Sequence, residues 1–306
     1  MKLNLKNKKF LDLLLEDFNQ SSRKMADKLN ISTQAILKKK RLVDQNLALK
    51  YHTVTNYFKI GYNNLHVYLN LREIERYRYK QIVSKLEQLD SINWVCSFFG
   101  EYDIGFSILY SDMDDLHFSL NEAMNLFKNK IHEKKVYFIY EQLVSPYYFI
   151  EKSLPIKLKP SNYEKLDSKD RIILNYIKNN PRFDLKNMSK ELMISVSTIK
   201  RRIDNLKNKN IILRNSLLID YSRLGLHWTI CMIEFTSNLK NEILEKELSE
   251  KKEIPFLSVT IDNVFIFDYI CGSHENLKRF LNNIQKKYSI SIKNYKILEV
   301  NNLNKL

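Results

Sequence analysis

Apolar residues recur along this chain in two alternating rhythms. In the first stretch, Phe10, Leu13 and Leu14 gather on one face and charged residues on the other, which predicts an amphipathic helix over 5–18. Met25 and Leu29 stand four apart and predict a short helix over 22–29. Asn30-Ile31 then form a tight connection into a third helix, which Ser32 would cap. Leu47, Leu49 and Tyr51 alternate with other positions and predict a pair of strands. Beyond them the period falls to two. Leu65, Val67, Leu69 and Leu71 alternate with His66, Tyr68 and Asn70, the pattern of a half-buried strand. A helix over 77–89, strands over 92–99 and 104–109, a helix over 116–130 and a strand over 136–143 complete a β-α-β-β-α-β order.

The whole pattern then occurs again. Lys24-Met25-Ala26-Asp27-Lys28-Leu29-Asn30-Ile31-Ser32 matches Asn187-Met188-Ser189-Lys190-Glu191-Leu192-Met193-Ile194-Ser195. Ile36 falls on Ile199, and Lys38-Lys39-Lys40 falls on Arg201-Arg202 and their neighbours. Strands and helices of the second copy are predicted over 228–235, 239–249, 256–261, 265–271, 275–288 and 292–300. Two short helices joined by a tight turn, with serine at the entrance of the second, describe a helix-turn-helix. The predicted fold class is α+β, a tandem duplication of a winged helix-turn-helix followed by a ferredoxin-like βαββαβ domain. The expected boundaries are 1–60 and 61–150 for the first copy, 151–162 for a Pro-bracketed linker, and 163–224 and 225–306 for the second copy.

Charge follows the same division. The chain has 306 residues and a net charge of +15. Residues 1–60 hold 13 basic and 5 acidic side chains, and residues 161–224 hold 14 and 7. Residues 61–150 hold 9 and 12, and residues 225–306 hold 11 and 10. Basic blocks therefore coincide with the helix-turn-helix segments, where a nucleic-acid partner would gain from them. Five glycines argue against Rossmann and P-loop nucleotide sites. Cys96, Cys231 and Cys271 are far apart and offer no CxxC pair, and the six histidines are scattered. The residues thus suggest no catalytic set, no metal site and no cofactor. No apolar run reaches the length of a membrane span, so a cytoplasmic protein with no membrane partner is expected.

The stretch from Leu166-Asp167 through Asp170, Ser195, Arg202-Ile203, Leu206 and Ile211 to Leu224-Gly225 resembles the Lrp/AsnC family of feast/famine transcriptional regulators. In the first copy, Gly100-Glu101-Tyr102-Asp103-Ile104 looks like that family's Gly-x-Tyr-Asp turn. The second copy has Ile261-Asp262-Asn263-Val264 there and lacks the glycine and the acid. The resemblance implies a transcription regulator that binds double-stranded DNA and is not an enzyme. One chain would act as a pseudo-dimer, its two sheets packed face to face and its two winged helices set apart. A small amino-acid-like effector and further association of pseudo-dimers would complete the picture.

Candidate DNA-binding residues are Thr33, Gln34, Lys38, Lys39 and Arg41 in the first copy, with Ser197, Thr198, Lys200, Arg201 and Arg202 in the second. Candidate effector-binding residues are Gly100, Tyr102 and Asp103. The alternative is an enzyme. Siroheme decarboxylases of haem biosynthesis are similar in architecture, some are fused in tandem, and their basic residues would bind tetrapyrrole carboxylates.

Overall fold

The computed structural model describes residues 4–145, 149, 155–160, 163–236, 241–288 and 291–305. In chain order the elements are α1 (Leu5–Glu16), α2 (Ser22–Leu29), α3 (Thr33–Asn46), β1 (Ala48–Thr55), β2 (Asn63–Leu71), α4 (Arg76–Gln88), β3 (Ile92–Phe99), β4 (Ile104–Tyr110), α5 (Met113–Phe127) and β5 (Ile131–Val144). There follow β6 (Ile156–Leu158), α6 (Ser168–Asn179), α7 (Leu185–Leu192), α8 (Val196–Asn208), β7 (Ile212–Ile219), β8 (His227–Phe235), α9 (Asn241–Ser249), β9 (Phe256–Thr260), β10 (Val264–Cys271), α10 (His274–Tyr288) and β11 (Ile292–Lys305). The duplicated order expected from the sequence is present. None of these helices is long and apolar enough to cross a membrane.

The chain divides into two compact units, each drawing on both copies. The first holds residues 1–60, 146–151 and 161–225. Each helix-turn-helix in it is set by capping. Ser32 Oγ accepts from the Ala35 N–H at 3.1 Å, and Ser195 Oγ accepts from the Thr198 N–H at 3.3 Å. The tight turns pass through left-handed residues, Asn30 at φ 51° and Met193 at φ 54°. Phe10, Leu14, Met25, Ile36 and Val43 are buried in the first copy. Ile173, Ile177, Met188, Ile199, Ile203 and Leu206 form one buried cluster in the second. The apolar face of α1 is centred on Phe10, Leu11, Leu14 and Leu15, with Leu13 to one side.

The wing differs from expectation. Each copy supplies a single strand here, and the two strands pair with one another. β1 runs antiparallel to β7, with Tyr51 opposite Leu217 and Thr53 opposite Asn215. The end of α1 is tied to the same ribbon, because Phe18 N–H donates to Asn215 O at 3.1 Å and Ser216 Oγ donates to Leu15 O at 2.9 Å. Two strands that would each lack a partner within their own copy satisfy their backbone groups across the duplication.

The second unit holds residues 61–145, 152–160 and 226–306. Each copy contributes strands in the order fourth-first-third-second, that is β5-β2-β4-β3 and β11-β8-β10-β9. The two sets also join edge to edge, a closure the sequence did not indicate. β11 pairs with β8 over its first part and with β3 over its second, passing from one to the other at Glu299. β5 passes from β2 to β9 at Ile139 in the same way. The eight strands therefore close into a ring, each paired on both sides. β6, in the expected linker, pairs with β5 and buries Leu158. Residues 151–154 and 161–162 of that linker lie outside the described residues.

Each copy packs its two helices on one face of its strands. Leu65, Val67, Leu69, Phe106 and Ile108 meet Leu86, Leu116 and Phe127 in the first copy. Cys231, Ile233, Phe265 and Phe267 meet Leu244, Leu248, Leu277 and Ile284 in the second. The alternate residues face the other way. There Tyr68 lies 5.8–6.1 Å, ring to ring, from Trp94, Phe98, Tyr102 and Tyr137. Phe98, Phe106, Phe265 and Phe267 are buried, and Phe99 is exposed.

Candidate functional site

The third helix of each helix-turn-helix carries the basic side chains, so its exposed face is the candidate nucleic-acid interface. In α8, Ile199, Ile203 and Leu206 face inward. Ser197, Lys200 and Arg201 are exposed, and Thr198 is half-buried beside its cap. In α3, Ile36 and Val43 face inward, while Thr33, Gln34, Lys38 and Arg41 are exposed. Both helices therefore present short polar residues at the N-terminal end, where a helix in the major groove meets base edges, and cations further along, where phosphates lie.

Arg202 and Lys39 part from this group. Arg202 points back at the start of α6. Its guanidinium Nη1 donates to Asp167 Oδ2 at 2.8 Å and to Asp170 Oδ1 at 2.7 Å. Asp167 is itself the N-cap of α6 and accepts from the Asp170 N–H at 2.8 Å. That backbone bond and then Arg202 hold the Asp167 carboxyl below its ordinary value, while Asp170 and Asp167 raise the guanidinium above its own. Lys39 occupies the same place in the first copy. Its ammonium donates to Asn7 Oδ1 and lies 5.7 Å from the centre of the Phe10 ring. Asn4 caps α1 there as Asp167 caps α6. These two cations clamp the third helix to the first, which the acids ahead of α6 could have signalled.

Lys40 stands where the second copy has the core residue Ile203. It is half-buried, and its ammonium donates to Phe18 O at 3.3 Å and Gln20 O at 3.0 Å. Burial pulls its pKa below the ordinary value. The three-lysine run of α3 thus divides into one outward cation and two that brace the helix.

The Gly100-Glu101-Tyr102-Asp103 turn connects β3 to β4. Gly100 adopts φ +138°, and a Cβ there would stand 3.0 Å from Ile297 O of the other copy. Tyr102 is buried, and its hydroxyl accepts from Lys296 Nζ at 2.9 Å. Lys296 also meets the Glu101 carboxylate. Asp103 is exposed, and its Oδ2 accepts from the Leu71 N–H at 2.6 Å. The three candidate effector residues therefore lie together on the seam where β11 crosses to the first copy.

A family model described as winged helix-turn-helix DNA-binding matches residues 166–212, which covers α6, α7 and α8. Among curated proteins no sequence matches. The siroheme decarboxylase NirDL is similar in structure at a TM-score of 0.59 with 12% identity, covering 98% of this chain and 92% of that one. Escherichia coli AsnC is similar at a TM-score of 0.36 with 14% identity, over 45% of this chain and 93% of its own. A transcriptional regulator of Neisseria meningitidis in complex with L-Met has a TM-score of 0.39 with 13% identity, over 45% of this chain and 90% of its own. The expectation that this architecture marks a non-enzyme does not stand, because the structure that shares it along nearly the whole chain is an enzyme. The chain has a duplicated helix-turn-helix and ferredoxin-like fold, and residues 166–212 within it are similar to winged helix-turn-helix DNA-binding domains.

Proposed function

We propose that this chain is a sequence-specific DNA-binding transcription regulator acting as an intramolecular pseudo-dimer. The observation that carries the reading is the exposed face of α8, inside the matched DNA-binding segment, with Ser197 near its N-terminus and Lys200 and Arg201 beyond. The first copy supports it with Thr33, Gln34, Lys38 and Arg41 on the equivalent face. Backbone contacts from the cations would give affinity that falls with salt, and the polar residues at the helix starts would read bases. Because the two helices differ, the preferred site is an imperfect palindrome. A small amino-acid-like effector would bind at the Gly100–Asp103 turn, where the exposed Asp103 carboxylate would meet its ammonium group. Selection of bound duplexes from random DNA, followed by affinity against salt concentration, tests the reading. A flat log–log plot, or no enrichment of any sequence, overturns it.

A second reading is favoured by the similarity to siroheme decarboxylase along 98% of the chain. In it the ferredoxin-like unit would take a tetrapyrrole, with basic side chains on its carboxylates. Mixing the pure protein with siroheme and following its absorbance tests this. A saturable shift together with loss of carboxylate as carbon dioxide supports it, and an unchanged spectrum overturns it.

A further inference from the structure

Neither reading uses a cluster in the second copy of the ferredoxin-like unit. His227 opens β8, His274 opens α10, and Glu299 lies in β11. Sheet register brings them together. His227 pairs with Cys271 across β8 and β10, and three residues after Cys271 the chain begins α10 with His274. Thr229 pairs with Glu299 across β8 and β11, so His227 and Glu299 are diagonal neighbours on one face of the sheet. The result is compact. Glu299 Oε1 lies 3.9 Å from His227 Nδ1 and 3.7 Å from His274 Nε2. The two imidazole rings lie 4.4 Å apart, centre to centre. One ligand atom from each residue falls within 4.8 Å of the other two.

We propose that His227, His274 and Glu299 bind a divalent transition-metal ion through Nδ1, Nε2 and a carboxylate oxygen. The donor set is the argument. Two imidazoles and one carboxylate suit zinc and its first-row neighbours and leave a position open for water or a small ligand. Atoms bound to one such ion at ~2.0–2.1 Å in a tetrahedron stand ~3.4 Å apart, so the two Glu299 separations close on a metal with shifts of a few tenths of an ångström, and the two imidazole nitrogens, within 4.8 Å of each other, close by up to about 1.4 Å through rotation of the exposed His274 side chain. Hydrogen bonding explains the spacing less well, since 3.7 and 3.9 Å exceed the reach of a direct N–H···O bond. All three ligands stand on regular elements, and all three side chains are reachable from solvent.

The first copy supplies the control. Asn63 pairs with Tyr110 as His227 pairs with Cys271, Met113 opens α5 as His274 opens α10, and Leu65 pairs with Phe138 as Thr229 pairs with Glu299. The same scaffold thus carries asparagine, methionine and phenylalanine at the three positions. The fold does not require these ligands, and the second copy alone presents the donor set.

Titration of the full chain with zinc chloride by calorimetry tests the site, and cobalt(II) absorbance reports its coordination. One equivalent is expected, with visible cobalt bands of low coordination number. His227→Asn and His274→Met install residues that the first copy already accommodates, so folding, checked by circular dichroism, should survive. Each should weaken binding by more than about 100-fold, the upper end of what loss of an outer-shell partner does. Glu299→Gln should weaken it by at least about 10-fold. Absence of a stoichiometric equivalent in the unaltered chain overturns the proposal. So does an equivalent whose affinity all three variants leave unchanged. Neither outcome bears on DNA or tetrapyrrole binding, which are measured separately.

Discussion

Arg202 and Asp170 stand 2.7 Å apart, joining the third helix of the second helix-turn-helix to the first turn of α6. Asp167 takes the same guanidinium at 2.8 Å. A residue that the sequence placed among DNA contacts is thereby bound within its own unit. Arg202→Ala is expected to lower stability by about 1 kcal/mol, and chemical denaturation measures it. Asp167 adds a pH dependence. Its folded pKa lies below the ordinary 3.8, so its contribution is present above about pH 4 and is lost as pH falls through the folded value. Asp167→Asn should remove that part of the acid sensitivity, and an unchanged acid midpoint would contradict the assignment.

Lys200 and Arg201 give the complementary expectation. Both are exposed and lie off the Ile199, Ile203 and Leu206 stripe. Replacing the pair by alanine should cost about 1 kcal/mol or more of DNA affinity for each side chain that meets the duplex. It should also lower the slope of log affinity against log salt by about 0.9 for each phosphate no longer neutralised. The denaturation midpoint should stay where it was. An unchanged slope with an intact fold would remove α8 from the interface. The equivalent variant of Lys38 and Arg41 asks the same question of α3.

Met193 offers a test of local conformation. It ends α7 at φ 54° and is 93% exposed, while Asn30 fills the same turn in the first copy at φ 51°. Left-handed backbone costs an ordinary side chain roughly 1–2 kcal/mol, and asparagine tolerates it better. Met193→Asn should therefore raise stability by about 0.5–1 kcal/mol without touching a buried residue. A decrease would mean that the methionine side chain makes a contact that matters.

The sequence was most readable where a single element decides the outcome. The caps at Ser32 and Ser195 each depend on a backbone N–H three residues on, and both are found as read. Pairing between distant segments was not readable. Alternation at Leu47, Leu49 and Tyr51 indicates a strand but not that its partner lies in the other copy, as Tyr51 opposite Leu217 does. The edge-to-edge closure at Glu299 and Ile139 escaped for the same reason. Among the candidate residues, Lys38 and Lys39 look alike in sequence. Only the position of Asn7 separates the outward cation from the inward one.

Gly100 is required by its surroundings twice over. Its φ of +138° is unfavourable for a side chain, and Ile297 O and Leu298 of the crossing strand stand 3.0 and 3.2 Å from where a Cβ would be. Gly100→Ala should lower stability by about 1–3 kcal/mol. The strain would fall on the β3–β11 seam, so amide exchange should quicken near Phe98, Phe99 and Val300 before it does near β10. Uniform quickening across the ring would show that the seam does not open by itself.

Asp268 carries the last expectation. Phe267 and Tyr269 on either side of it pack against the helices, so Asp268 points to the opposite face of β10. Loss of water there pushes its carboxyl up to about 7, against the pull of the Trp228 indole hydrogen bond. A carboxyl whose folded pKa exceeds its unfolded value of 3.8 binds its proton more tightly in the native state. Its contribution is therefore most favourable below about pH 4 and declines as pH rises to about 7. His66 opposes it. Burial holds that imidazole down to about 3, so its contribution is complete above its ordinary value of 6.5 and is lost as pH falls. The two trends overlap, which makes the wild-type profile alone uninformative. The difference between wild type and Asp268→Asn isolates the carboxyl. The variant should gain stability relative to wild type steadily between about pH 4 and pH 7 and hold a constant difference above it. Denaturation midpoints measured across that range decide the matter, and a difference that does not change with pH would show that Asp268 is ionised in the folded chain throughout.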